Sequence, residues 1–482
     1  MISLLSITLI PLLIATIGLF PRNAGWIARG AACLILLQIP VVLSVCIPVL
    51  TAPSIINRSF GIDGVAAGFI LITTLVAVAA LVHSALYLPA DRTDAQHISD
   101  RQFCLYYTLS GMFLLAMYGV LMAQNIGYMW VAMEFTTLMS APLVFYHRSS
   151  RSIEAAWKYL LLCSVGIGFA LLGTVLFVAA QHDPLFSVSM QYSDLLSRAP
   201  HMNPRLVSLG FIFCLLGYGT KAGLFPLHNW LPDAHSEAPA PASAMLSGAL
   251  LNCALVAIWR ISQIVSASGQ AHLVRELLVP AGAITALAAG LMLVRQHDLK
   301  RMWAYSSVEH VGLLTLAIGI GSGPLFLLHA FNHSVVKVTL FLLAGSVIYS
   351  YNTKSLKKIS GMLKASPATG AMLILAAFAI AGSPPFGTFI SEWLLLRDTF
   401  ASGEVLAGCA ALLSLTITFV AIASHVSRLV LGPAPANIRA LPSVAWSVTP
   451  AILLCISLLA GAMVNPTIMA MLTRLTLRGG TQ

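Results

Sequence analysis

Fourteen apolar stretches run along this chain, at about 3–20, 25–49, 64–88, 103–122, 126–146, 153–180, 205–231, 241–265, 276–296, 302–320, 324–349, 371–396, 404–431 and 446–473. An α-helix needs about 20 mostly apolar residues to cross the hydrocarbon core of a bilayer. In lipid the backbone must satisfy its own hydrogen bonds, which a helix does within one segment. The expected fold is an all-α polytopic membrane protein with about 14 transmembrane helices. Hydrophobic residues make up 58% of the chain and charged residues 9%, against about 25% charged in a soluble protein. A soluble enzyme, a disordered chain and a secreted disulfide scaffold are excluded. None of the gaps between stretches is long enough for a soluble domain.

The net charge of +10 fits a membrane better than nucleic acid, because basic residues collect in loops facing the cytoplasm. The odd-numbered loops hold fifteen Lys and Arg, among them Arg22, Lys300 and Lys354. The even-numbered loops and the tail hold eight, among them Arg58 and Arg260. The expected location is a bacterial or archaeal cytoplasmic membrane with both termini outside. The first helix lacks a basic n-region and a cleavage site, so it reads as retained rather than as a signal peptide. The eight cysteines include no C-x-x-C pair and read as small buried apolar residues.

Six ionisable residues fall inside or at the edge of apolar spans: Glu134, Lys158, Lys221, Glu309, Lys337 and Glu392. Such groups at membrane depth cost about 2.5–3.5 kcal/mol each on insertion scales. They need either a function or a structural reason. Buried ion pairs would be one such reason. Snorkelling from a helix end would be another, and Lys158, close to Arg151 and Glu154, suits it best.

Two helices carry a breaker at mid-span. One holds Gly217, Gly219, Lys221, Gly223 and Pro226; the other holds Gly382, Ser383, Pro384, Pro385 and Gly387, with Glu392 five residues on. Proline removes a donor and clashes with the preceding turn. Paired broken helices in corresponding positions point to a transporter with repeated halves. Glu134 and Glu309 are 175 residues apart, as are Lys158 and His333, while Lys221 and Glu392 are 171 apart. Each half then has an acid on its second helix, a base on its third and an ionisable group beside the break on its fourth. The expected organisation is helices 1–3 in 1–102, a five-helix repeat in 103–265, its inverted copy in 276–431, and a fourteenth helix with tail in 446–482. His329, His333 and Lys337 are spaced four apart and share one helix face, with Asn332 close by. Histidine titrates near neutral pH, so the stripe suits a proton relay, with His310 linking it to the preceding helix. A polar seam between helices is the structural alternative.

Residues 221–238, KAGLFPLHNWLPDAHSEA, and 298–312, DLKRMWAYSSVEHVG, resemble the signatures of the proton-translocating antiporter-like subunits of respiratory complex I and of Mrp-type sodium/proton antiporters. WVAMEFTTLMSAPLV at 130–144 and EAAWKYLLLCSVGIG at 154–168 resemble one branch, the F-component of membrane-bound nickel–iron hydrogenases akin to hydrogenase-4 and formate hydrogenlyase. The resemblance covers roughly residues 60–430. It implies two inverted five-helix repeats and half-channels meeting on a central polar axis. It implies Glu134 and Lys221 as the acid–lysine pair of the first half. Glu309 or His310, with His329, His333 and Lys337, would carry the axis onward to Glu392, and Lys158 and His228 would adjoin it. Complex-I-type members usually have a lysine on the eighth helix where SGALLNCALVA, 247–257, has Asn252. Water or another side chain would have to bridge there.

The loop with His228, Asp233, His235 and Glu237 lacks the spacing of a zinc site and is expected to orient the broken helix. Nucleotide-binding glycine motifs are absent, so no nucleotide, flavin, cluster or metal is expected in this chain. The expected partners are other membrane subunits and a peripheral nickel–iron hydrogenase-like arm, and the expected function is proton translocation in a redox-driven complex. The alternatives are a secondary sodium/proton antiporter, an energy-coupling subunit for bicarbonate uptake, and a non-conducting scaffold. Because the sequence ends soon after the fourteenth span, a long lateral arm is not expected.

Overall fold

The computed structural model describes residues 2–20, 24–51, 55–56, 59–95, 98–181, 188–435 and 437–478. Arg22 and Arg58, counted above, lie outside them. Helices α1 (Ile2–Gly18), α2 (Ala24–Thr51) and α3 (Gly64–Ala95) come first, with strands Ile55–Ile56 and Gly61–Ile62 paired antiparallel between α2 and α3. The next group is α4 (Asp100–Met122), α5 (Ile126–Val144), α6 (Ser150–Ala179), short α7 (Tyr192–Arg198), α8 (Pro204–Ala222), α9 (Trp230–Glu237), α10 (Ala240–Met245) and α11 (Leu251–Val265). Then follow α12 (Ala271–Val294), α13 (Leu299–Gly319), α14 (Gly323–Tyr351), α15 (Met362–Ala365), α16 (Pro367–Ile380), α17 (Gly387–Ala401) and α18 (Val405–Val430). Last are α19 (Val448–Met463) and α20 (Pro466–Arg478). Eight helical segments among the described residues are long and apolar enough to cross a membrane.

Local chemistry explains where helices start and stop. Asn203 caps α8 through the amides of Arg205 and Leu206, with Pro204 at the first helical position. Asp298 caps α13 through the amides of Lys300 and Arg301. Both predicted breaks are present. α8 ends at Gly223, whose φ of 88° is left-handed and lets its amide return to Gly219 and Thr220. α16 ends before Gly382, and Pro384 and Pro385 separate it from α17.

One expectation fails. The fourteenth stretch is two helices rather than one, because Pro466 supplies no amide and disfavours helix at the residue before it. Asn465 instead caps α20, accepting from the Ile468 amide at 3.0 Å. Two residues counted as loop charges are also buried. Arg260, within α11, pairs with Asp63 at 3.1 Å and donates to the carbonyls of Leu121 and Ala123 at 2.9 and 2.5 Å. Lys300 is 5% exposed.

Small residues bring the central helices together. A Cβ on Gly217 of α8 would lie 2.6 Å from the Ala170 side chain of α6, and one on Gly173 of α6 would lie 2.5 Å from Cys214 Sγ of α8. α12 and α13 meet in the same way at Gly282 and Gly312. Such contacts replace the hydrophobic effect as the glue between helices in lipid. They also set the next turns of α8 and α13, which carry Lys221 and Glu309, against their neighbours. α13 and α14 are buried along nearly their whole length.

Candidate functional site

The α6–α8 packing places Lys221 against α6. Lys221 is fully buried, and its Nζ donates to Thr137 Oγ1 at 2.8 Å and Tyr159 OH at 2.7 Å. The Tyr159 ring also lies under the ammonium, 4.7 Å to its centroid. Tyr159 OH meets Ser140 Oγ at 2.6 Å. Half-buried Glu134 accepts from Ser164 at 2.6 Å and stands 3.5 Å from Thr137 Oγ1. The acid–lysine pair is therefore joined through the Thr137 hydroxyl rather than by direct contact. Trp230, just past the break, donates to the Thr220 carbonyl at 2.8 Å and stacks on Tyr159. It ties the end of α8 to the start of α9.

Lys158 does not join this cluster. Its side chain is 48% exposed and pairs with Glu154 at 2.6 Å and Asp233 at 3.3 Å. Neighbours on a helix do not share a face, so it is Tyr159, the next residue, that reaches Lys221. His228 is buried in the segment after the break, with its ring stacked on Phe225 and edge-on to Tyr305. It contacts neither Lys221 nor the histidine stripe through a hydrogen bond among the described residues.

Around Asn252 the halves meet through uncharged side chains. Asn252 donates to Ser334 Oγ at 2.9 Å and to the Gly248 carbonyl at 3.0 Å. Ser247 and Ser307 meet at 2.8 Å. Asn252 Oδ1 has no partner among the described residues.

The ionisable cluster of the second half is buried. His310 on α13 and His329, His333 and Lys337 on α14 are all 0% exposed. His310 Nε2 stands 3.2 Å from the Ile380 carbonyl, which can only accept. That assigns the proton of a neutral His310 to Nε2 and makes Nδ1 the acceptor for His329 Nε2 at 3.0 Å. His329 Nδ1 in turn meets Ser391 Oγ at 2.9 Å. Two imidazoles and a hydroxyl thus form an oriented chain from α16 to α17. His333 stacks beside His310 at 5.2 Å, with both ring nitrogens unpartnered among the described residues. Lys337 Nζ donates to the Trp303 carbonyl at 2.9 Å. Glu309 turns the other way and accepts from Ser414 of α18 at 2.9 Å.

Glu392 lies on α17 after the break, yet its carboxylate folds back to where a Cβ of Gly382 would be. Gly382 must lack a side chain for this, and its φ of 67° suits glycine. Glu392 Oε1 is 4.0 Å from His310 Nδ1. Asn332 holds the start of α17 by donating to the Gly387 carbonyl at 2.8 Å and to Ser391 at 3.2 Å. The hydroxyl partners Thr137, Tyr159, Ser164, Ser391 and Ser414 were invisible to sequence reasoning, since a hydroxyl in an apolar helix is unremarkable. The one signal was that Thr137, Tyr159 and Ser164 fall inside the motifs at 130–144 and 154–168.

Residues 123–418 match the transmembrane family of NADH:quinone oxidoreductase and Mrp antiporter subunits. The chain belongs to this family. It is 40% identical to the hydrogenase-4 component F homolog of Methylacidiphilum infernorum over 73% of this chain and 75% of that one. Its fold is similar to a chain of the archaeal membrane-bound sulfane sulfur reductase, with a TM-score of 0.87 over 99% of this chain and 97% of that one at 23% identity. It is likewise similar to a chain of the Mrp complex from Dietzia sp. DQ12-45-1b, with a TM-score of 0.83 over 100% of this chain and 97% of that one at 18% identity. Among the described residues of this antiporter-family chain, no group of three or more His, Cys, Asp or Glu is placed to hold a metal ion.

Proposed function

We propose that this chain is the proton-translocating membrane subunit of a multisubunit redox-driven complex of the hydrogenase-4 kind. One observation carries the reading. Lys221 is fully buried at membrane depth with only hydroxyl hydrogen-bond partners, and no carboxylate reaches it within 4.0 Å among the described residues. Structural ammonium groups in lipid are paired, so an unpaired one is better explained as a group that gains and loses a proton.

Glu134 and Lys221 form the variable charge of the first half. Lys337, the three histidines and Glu392 carry protons in the second. A charge arriving at Lys221 acts across the low-dielectric junction on Lys337, because Coulomb interactions there fall slowly with distance. We read 103–265 and 276–431 as inverted repeats and place both termini on the outer side of a prokaryotic cytoplasmic membrane. The relative named as a hydrogenase-4 component suggests a hydrogenase-like peripheral arm and further membrane subunits as partners. The family match, which Mrp antiporter subunits share, supports a second reading, a sodium/proton antiporter, and sodium-dependent flux would favour it.

The test is proton translocation by the assembled complex in vesicles. Lys221→Ala should abolish most of this subunit's contribution while the complex stays intact. Undiminished translocation would remove Lys221 from the path.

A further inference from the structure

Around Asn252 the halves are joined by Asn252 and three serine hydroxyls, and none of these side chains is titratable. The second half therefore needs a source of protons other than side-chain transfer from Lys221. The rim where the basic loops gather holds a buried cluster that the path above does not use. Lys300, 5% exposed on the first turn of α13, donates from Nζ to the Ala238 carbonyl at 2.5 Å. Ala238 follows α9 directly. One turn back on α9, His235 is 0% exposed, stacked on Phe341 at 4.9 Å, with both ring nitrogens unpartnered among the described residues. Phe341 lies one turn from Lys337 on α14.

Outside Lys300 the groups become solvent-accessible. Lys354 is 32% exposed and pairs with Glu237 at 2.5 Å and Asp298 at 3.7 Å. Asp91 pairs with His147 at 2.9 Å, the two being 20% and 30% exposed.

We propose that Lys300 and His235 form a separate proton inlet from this rim to Lys337, so that the second half loads without drawing protons through Asn252. This rests on the proton-path reading above. A proton passes from the rim carboxylates to the Lys300 amine, then through His235 to the Lys337 amine. Each group returns to its starting state once it is reloaded from the rim, and no oxidant or reductant is needed.

The charged groups acting on Lys300 are Lys354 from the 352–358 segment, Asp298 beside it, Asp91 on α3 and Glu237 on α9. Burial first, and then Lys354, push the Lys300 ammonium down to about 8, against the opposite pull of the three carboxylates. A lysine in that range can release a proton near neutral pH. Arginine keeps the charge and can donate to Ala238, but it does not deprotonate.

The experiment compares Lys300→Met, Lys300→Arg and Lys221→Ala in the assembled complex in vesicles, reading proton translocation against pH on the basic-rim side. Lys221→Ala first measures the share of translocation that belongs to this chain; if that share is zero, the underlying path reading fails. If a share exists, Lys300→Arg should remove about tenfold or more of it. The decline of the unaltered complex above about pH 8 should vanish from whatever rate remains. Lys300→Met should do the same if it assembles. Lys300→Arg with an unaltered rate and pH profile would make Lys300 a structural anchor and overturn the inlet, even with Lys221 confirmed.

Discussion

The two halves place comparable groups by different means. In the first, one buried ammonium sits among hydroxyls and over an aromatic ring, with a half-buried carboxylate one hydroxyl away. In the second, three imidazoles, a lysine and two carboxylates are packed away from solvent between α13, α14 and α17. A hydroxyl can pass on a hydrogen bond but holds charge poorly, so the first half behaves as a single site whose charge switches. An imidazole has two nitrogens and can accept on one while donating from the other. The second half is therefore built for transfer along a line. Even the acids differ: Glu134 bonds to the adjacent α6, whereas Glu309 bonds across to α18.

The sharpest way to break this comparison is His310→Phe. The ring volume stays, but the contacts to His329 and the Ile380 carbonyl are lost. Translocation should fall by on the order of a hundredfold if the chain is used. An unchanged rate would mean that water, not imidazole, carries the proton in the second half.

The first half should be less sensitive. Tyr159→Phe removes one hydrogen bond to Lys221 and leaves the ring in place. Hydrogen bonds to charged groups are worth about 1.5–3 kcal/mol, so a loss of about tenfold in translocation is expected. The neighbouring Lys158→Met tests the other side of the same turn. Lys158 is half exposed and its ion pairs lie outside the buried cluster. Exposed pairs contribute about 0–1 kcal/mol, so its effect should stay within about twofold. If Lys158→Met were the more damaging of the two, the path would run along the outer face of α6.

Much of this contrast could be read from residue order, and the parts that could not share a cause. Hydropathy located most helices and both breaks, because apolar length and proline act locally. The acid, lysine and histidine positions stood out because charge in an apolar run is costly and therefore rare. What sequence could not show was which way a side chain points. Lys158 and Tyr159 are adjacent, and only helix packing through Gly166, Gly173 and Gly217 decides which one faces Lys221. Lys300 and Arg260 read as loop charges because burial at a helix end depends on what packs there. The fourteenth stretch is strongly apolar on both sides of Asn465–Pro466, so a single proline was too weak a signal beside it.

The account's central claim is that the two unlike halves act on one proton flow. It is tested most directly by comparing Lys221→Ala, Glu392→Gln and the double substitution in the same reconstituted complex. Residues that work as one unit are strongly non-additive. Each single change should remove nearly all of this chain's translocation, and the double change should remove no more. Two partial losses that add up in the double variant would show two independent paths, and the account would be wrong.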